Sequence, residues 1–236
     1  MIDAHIHIDF YDNPTKIVRE IVREDISAIF VTHLPELFEK QEMLYSNIPQ
    51  IFLAVGFHPI LVNEYEFNEN LFLKALKKTR FVGEVGLDYT VARSDISRYK
   101  QRIIFEKICK CSNKHILSVH SRHSEKEVLK TLIDCNVENA IFHWYTGEFD
   151  FIRQIVDAGY YFSLNPSMLR SNKGRSALKV IPLNKILIET DGPFSKFNGN
   201  LVKPSYLKDI YNAFESFYDI KNLEDIVFNN MLTIIG

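Results

Sequence analysis

Six residues able to bind metal, His5, His7, Glu84, His120, His143 and Asp191, each sit where a short apolar run ends. In a barrel of parallel strands the strand ends converge on one mouth, so residues distant in sequence become neighbours. Four histidines and two carboxylates gathered there are enough to hold two divalent ions side by side, an arrangement used to hydrolyse phosphoesters and amides. His5 and His7 are two apart, and in extended chain such residues face one side. Glu84, with Gly83 and Gly86 beside it, has room to bridge two ions through its two oxygens. The alternative for Glu84 is a basic partner, since a buried, unpaired glutamate is rare. His120 and His143 end neighbouring runs, and either alone reads as a hydrogen-bonded core histidine. Together they point to ligation. Asp191, in Ile188-Glu189-Thr190-Asp191-Gly192-Pro193, lies further toward the mouth than Glu189. It is expected to ligate with His5 and His7 and to act as general base, so Glu84 and Asp191 are the catalytic carboxylates of this reading.

Other residues near the run ends have open roles. His58, in Gly56-Phe57-His58-Pro59, is placed either to contact a substrate phosphate or to support a ligand. Arg122 suits bidentate phosphate binding, with a salt bridge to a helix as the alternative. Asp3 reads as structural or as a partner that orients a histidine. Asp88 reads as a loop cap, a ligand's partner or a catalytic group, and His33 is equally open. His115 and His123 fall outside the pattern, His123 reading as a solvated or capping residue.

The elements that position these groups alternate from end to end. Short runs at Met1–His5, Ile26–Thr32, Ile51–Gly56, Phe81–Gly86, Ile116–His120, Ala140–His143, Tyr160–Leu164 and Lys185–Thr190 are almost continuously apolar, as in parallel strands buried on both faces. Helical patterns separate them at Thr15–Glu24, Pro35–Ser46, Asn68–Lys78, Ile96–Lys110, Ser124–Cys135 and Phe149–Ala158, with two more at Lys203–Tyr218 and Leu223–Ile235. Residues 165–177 and 192–204 read as irregular loops on the histidine rim. The pattern predicts an α/β fold, a single (β/α)8 TIM barrel over residues 1–236, in preference to an open doubly wound sheet.

The 236 residues fit one such domain, and 46% hydrophobic content supplies a large core. Twenty-eight basic against 30 acidic residues leave a net charge of −2, so any polyanion site must be local. The start, MIDAHIHIDF, lacks a signal-peptide pattern, and no stretch approaches the roughly 20 apolar residues that span a bilayer. A cytoplasmic protein without membrane partners is the expectation. Cys109, Cys111 and Cys135 have no metal-binding or redox spacing and read as reduced thiols. The mixed imidazole and carboxylate set suits Zn²⁺, Mn²⁺, Fe²⁺ or Ni²⁺ and tolerates Mg²⁺ less well. Arg170, Lys173, Arg175, Lys196 and Lys203, with the aromatics Phe57, Tyr89, Trp144, Tyr145 and Phe194, give weak support for single-stranded nucleic acid.

The motifs DAHIHID, VGFHP, GEVGLDY, HSR, FHWYTG and IETDGPF, in this order, resemble those of the TatD-type deoxyribonucleases, a branch of the metal-dependent hydrolase barrels. The resemblance spans nearly the entire chain. It implies a hydrolase barrel, two divalent metals and 3′-to-5′ exonuclease action on single-stranded DNA. It matches His5 and His7 to the first histidine pair, Glu84 to the bridging glutamate, and His120 and His143 to the second-metal histidines. Asp191 matches the aspartate of the first metal, and His58 a histidine near the phosphate. The loops after Leu164 and after Asp191 depart from the family pattern, which leaves the substrate open. The ETDGPF ending and short length resemble the TatD-like component of Qat antiphage defence systems, which implies partner proteins from such a system. Two alternatives stand beside this: a metal-dependent hydrolase of a small phosphoester or amide, and a subunit active only within a complex.

Overall fold

The computed structural model describes all residues from Met1 to Gly236. Eight parallel strands follow one another in chain order around a barrel: β1 (Ile2–Ile6), β2 (Ser27–Val31), β3 (Ile51–Val55), β4 (Phe81–Asp88), β5 (Ile116–Arg122), β6 (Asn139–His143), β7 (Tyr161–Leu164) and β8 (Ile186–Ile188). Helices α1 (Pro14–Arg23), α2 (Pro35–Tyr45), α3 (Glu69–Leu76), α4 (Asp95–Ser112), α5 (Glu125–Asp134), α6 (Phe149–Asp157) and α7 (Asn172–Val180) separate them, and α8 (Leu207–Tyr218) and α9 (Leu223–Ile235) follow β8. This is the expected (β/α)8 barrel. One strand face fills the barrel and the other meets the helices, so all eight residues of β4 are buried. No helix is long and apolar enough to cross a membrane.

Helix starts follow local chemistry. Asn13 accepts the Lys16 amide ahead of Pro14 in α1, and Ser94 accepts the Ser97 amide at α4. The segment read as irregular after β7 differs from expectation, because it contains a 3-10 turn (Pro166–Arg170) and the start of α7. Ser171 caps α7 through the Gly174 amide, but only Ala177 and Leu178 of that helix are buried. So thin an apolar stripe, with a glycine inside it, leaves little periodicity to read. Similarly, α8 starts at Leu207 and not at Lys203, because Pro204–Tyr206 forms a 3-10 turn. The loop between β8 and α8 carries a small hairpin of β9 (Lys196–Phe197) and β10 (Asn200–Leu201).

Two features of the mouth position the site. The first is the seam between β1 and β8. Because β8 is short, closure falls to residues beyond it: the Asp191 amide donates to the His5 carbonyl at 2.9 Å, and the His7 amide donates to the Gly192 carbonyl at 3.0 Å. The Asp3 carboxylate fastens the same seam, accepting the Thr190 amide at 2.9 Å and its hydroxyl at 2.6 Å. The second is a constriction over the end of β3. Thr32, just past β2, donates its amide to the Gly83 carbonyl and accepts the Glu84 amide, at 2.9 and 3.0 Å. The Thr32 hydroxyl accepts the Gly56 amide at 2.9 Å. The lack of a side chain at Gly56 permits this approach, because a Cβ there would overlap the Thr32 carbonyl oxygen and the Glu84 amide nitrogen.

Gly56→Ala is therefore expected to destabilise the metal-free protein by about 3 kcal/mol, the upper part of the range for overpacked cores. Urea unfolding measures this, and a variant as stable as the parent would show that the constriction is slack.

Candidate metal centre

All six residues singled out by type and position converge on the axis at the strand ends, with Glu84 in the middle. Its two oxygens face different partners. Oε2 lies 3.3 Å from His7 Nε2 and 3.6 Å from His5 Nε2. Oε1 lies 2.6 Å from His120 Nδ1, 2.9 Å from His143 Nε2 and 3.1 Å from His58 Nε2. Asp191 completes the first group, its Oδ1 standing 3.2 Å from His7 Nε2 and 3.8 Å from His5 Nε2. Asp191 has φ +46°, a left-handed turn that swings the chain sharply after β8 and returns the carboxylate toward the axis.

The donor set fits a metal. The Nε2 atoms of His5 and His7 are 3.0 Å apart, and the other measured edges of the first group run from 3.2 to 3.8 Å. Tetrahedral ligands about 2.0–2.2 Å from an ion are about 3.3–3.6 Å from one another. The second group, Glu84 Oε1 with His120 and His143, has a nitrogen-to-nitrogen edge of 3.5 Å. The rings of His5 and His120 are also held from behind by a hydrogen bond, as ligating imidazoles generally are, while the buried Nδ1 atoms of His7 and His143 have no hydrogen-bond partner. Ser118 Oγ lies 2.8 Å from His5 Nδ1, and Asp88 Oδ2 lies 2.9 Å from His120 Nε2. Glu189, fully buried and bonded to Ser163 and Asn165, stands 3.5 Å behind His143 Nδ1.

Charge follows from these neighbours. Burial pushes every group here toward its neutral form. For Glu84 that effect is overridden by His58, His143 and His120, which hold its carboxyl well below the usual range. Burial also opposes charge on His7, but Asp191 and Glu84 raise it to about 9. His143 and His120 are raised in the same way against their burial, His143 by Glu84 and Glu189 and His120 by Asp88 and Glu84. The three histidines that favour the proton are thus those with two carboxylates within 3.5 Å of their ring nitrogens. His5, buried and stacked on His143 at 4.1 Å, falls to about 3. His58 is lowered by burial. The Ile60 amide donates to His58 Nδ1 at 3.2 Å, which puts the ring proton on Nε2, the atom facing Glu84. That tautomer makes His58 a hydrogen-bond donor toward the centre and not a ligand.

Over the centre lies a cavity of about 600 Å³, lined among others by His33, His58, Thr90, Arg122, His123, Trp144 and Phe194. Arg122 is exposed and forms no ion pair, unlike the helix salt bridge weighed as its alternative. His123, read as solvated or capping, is exposed in a left-handed turn at φ +55° and lines this cavity. Asp88 both caps the Thr90 amide, at 2.8 Å, and backs His120. Asp3 is structural, belonging to the seam. His115 lies elsewhere, against the Leu76 carbonyl, and the three cysteines are free thiols. Of the supposed rim aromatics, Phe57 and Tyr145 are core residues, 1% exposed. None of the five loop cations lines the cavity; Lys173 pairs with Glu148, and Arg175 stacks over Phe217. Sequence reading missed Ser118, a polar residue in an apolar strand whose only signal is its place two residues before His120, and Phe10, which carries no motif.

Comparison with known proteins identifies the family. The family model described as TatD related DNase matches residues 2–236. An uncharacterized metal-dependent hydrolase of Buchnera aphidicola is 27% identical, aligning 100% of this chain with 99% of its own. Human deoxyribonuclease TATDN3 is 26% identical over 82% of this chain and 78% of its own length. Among solved structures, the TatD homologue YjjV of Escherichia coli superposes with a TM-score of 0.84 at 20% identity, covering 99% of this chain and 97% of that one. A TatD family hydrolase of Entamoeba histolytica gives 0.83 at 17% identity, over 99% and 97%. At such identities the two structures speak for the fold. With the family model matching almost every residue and the metal-binding side chains gathered at one mouth, the chain belongs to the TatD related DNase family, as a metal-dependent hydrolase of ester bonds.

Proposed function

We propose that this protein hydrolyses phosphodiester bonds of single-stranded DNA from the 3′ end, with two divalent ions shared by Glu84. The observation that carries the reading is the division of Glu84, one oxygen toward His5, His7 and Asp191 and the other toward His120 and His143. Ions held there would supply the positive charge that acidifies water and offsets charge on phosphoryl oxygens. Asp191 commits Oδ1 to the histidines, and its Oδ2 accepts no hydrogen bond, leaving that atom to take the proton of the attacking water and return it to the departing alkoxide. His58 Nε2–H donates to a phosphoryl oxygen, and Arg122 holds phosphate at the rim. Glu84 is only 2% exposed, at the floor of the cavity, so a strand end or a splayed nucleotide reaches it and a stacked duplex does not. A setting in antiphage defence, with partner proteins, accords with the ETDGPF ending.

Metal loading is expected to expel protons. At pH 7.5 His7, raised to about 9, holds a proton that an ion must displace, and so does His143, raised well above its ordinary value. Below the raised pKa the proton competes, so affinity for Zn²⁺ should climb as pH rises toward 9. Calorimetric titration in buffers of different ionisation enthalpy should read a net release of at least one proton per chain, and zero release would contradict the charge assignment.

For activity, 5′-labelled single-stranded DNA with Mn²⁺ should give a ladder shortening from the 3′ end, abolished by chelator. Asp191→Asn should slow it by about 10³-fold, the scale of a lost general base. Intact DNA with metal bound would overturn autonomous DNase action and direct attention to small phosphoesters or a missing partner.

A further inference from the structure

Closure of the barrel brings two half-exposed phenylalanines together beside the metal centre. Phe10 ends the 3-10 turn Ile8–Phe10 that follows β1, and Phe194 follows Asp191 by three residues. They are 49% and 50% exposed, and their rings meet with centroids 4.9 Å apart at 60°. Both stand edge-on to His7, at 6.0 and 5.1 Å. His33 completes the group, 4.7 Å from Phe10, 4.6 Å from His7 and 4.8 Å from His58, on which it stacks at 26°. It is only 8% exposed, faces the cavity, and its ring nitrogens form no hydrogen bond within the protein.

We propose that Phe10, Phe194 and His33 form a nucleobase subsite that stacks one base of the nucleotide whose phosphate lies at Glu84. The inference rests on the DNase reading and names the part of the substrate that this wall takes. Position selects the occupant. In a nucleotide a single sugar separates base from phosphate, and here a single ring, His7, separates Glu84 from Phe194. The rest of the cavity is lined by Thr90, Arg122, His123 and Thr146, which suit phosphate and sugar, and by Ile60, Val91 and Trp144. The other aromatics of the mouth, Tyr89 and Trp144, are partly buried and pack against the core, so Phe10 and Phe194 are the exposed pair. Stacking on phenylalanine tolerates any base, while the free His33 nitrogens offer one donor and one acceptor to a base edge.

The test compares oligothymidylate ending in an ordinary 3′ nucleotide with the same strand ending in an abasic tetrahydrofuran residue, using Mn²⁺-loaded protein. Wild type should cut the ordinary end with a kcat/KM about tenfold higher, within the range for one stacked base, and mainly through KM. In Phe10→Ala/Phe194→Ala that ratio should collapse to about one. Phe10→Leu/Phe194→Leu, which keeps the apolar volume but removes the flat faces, should collapse it as well, so a folding defect in the alanine variant does not decide the matter. Phe194→Trp should keep the preference. Wild-type cleavage of both ends at equal efficiency would overturn the stacking subsite while leaving the DNase reading intact, as would a preference that survives both double variants. No cleavage of either end would sink the DNase reading, and this inference with it.

Discussion

A buried carboxylate has to be answered by positive charge, and in this protein that carboxylate is Glu84. Placing an ionised glutamate at 2% exposure costs several kcal/mol unless its oxygens are compensated. Five imidazoles surround it, supplied by β1, β4's neighbour β5, β6 and the loop after β3. Each of those imidazoles needs its own partner, so the demand spreads outward to Asp191, Asp88, Glu189 and Ser118. The result is a layered arrangement in which acid and imidazole alternate. The flanking carboxylates raise the proton affinity of His7, His120 and His143, so any ion bound there would compete with protons and gain as pH rises.

The scaffold that makes this possible is economical because parallel strands deliver their ends to one place. Two local devices then refine the placement. At Gly56 the absence of a side chain lets Thr32 reach Glu84 directly across the end of β3. At the seam, Asp3 joins Thr190 and so fixes the offset between His5, His7 and Asp191. Neither device touches a phosphate or an ion in the proposed chemistry. Both help to set the spacing of the donor atoms, on which a metal site depends.

Much of this was legible in the sequence because strand ends mark themselves. An apolar run ending in histidine or a carboxylate points to the mouth, and so His5, His7, Glu84, His120, His143 and Asp191 stand out, although Glu84 and His120 lie inside β4 and β5, which run on to Asp88 and Arg122. The barrel itself was legible from the alternation of short apolar runs with amphipathic stretches. What escaped reading lacked such a mark. The helix α7 has too few apolar residues to show a period. Phe57 and Tyr145 sit in motif-like stretches yet point inward, because an aromatic ring in a loop carries no sign of its direction. Ser118 and Asp88 acquire meaning only opposite particular ring nitrogens, a relation between strands that one-dimensional spacing does not contain. His58 was legible as a site residue, but its donor tautomer comes from the Ile60 amide, a detail of turn geometry.

The seam also sets when the donor cluster becomes complete. Asp3 and Thr190 are 187 residues apart, and Asp191 lies just beyond. A chain growing from the ribosome makes His5 and His7 first and Glu84 midway, but holds no complete first donor set until its eighth strand has emerged and closed against its first. Contacts so distant in sequence form late. The order of synthesis thus keeps the cluster open until last: an unfinished chain lacks Asp191, which stands beside His5 and His7 only once the ring has closed.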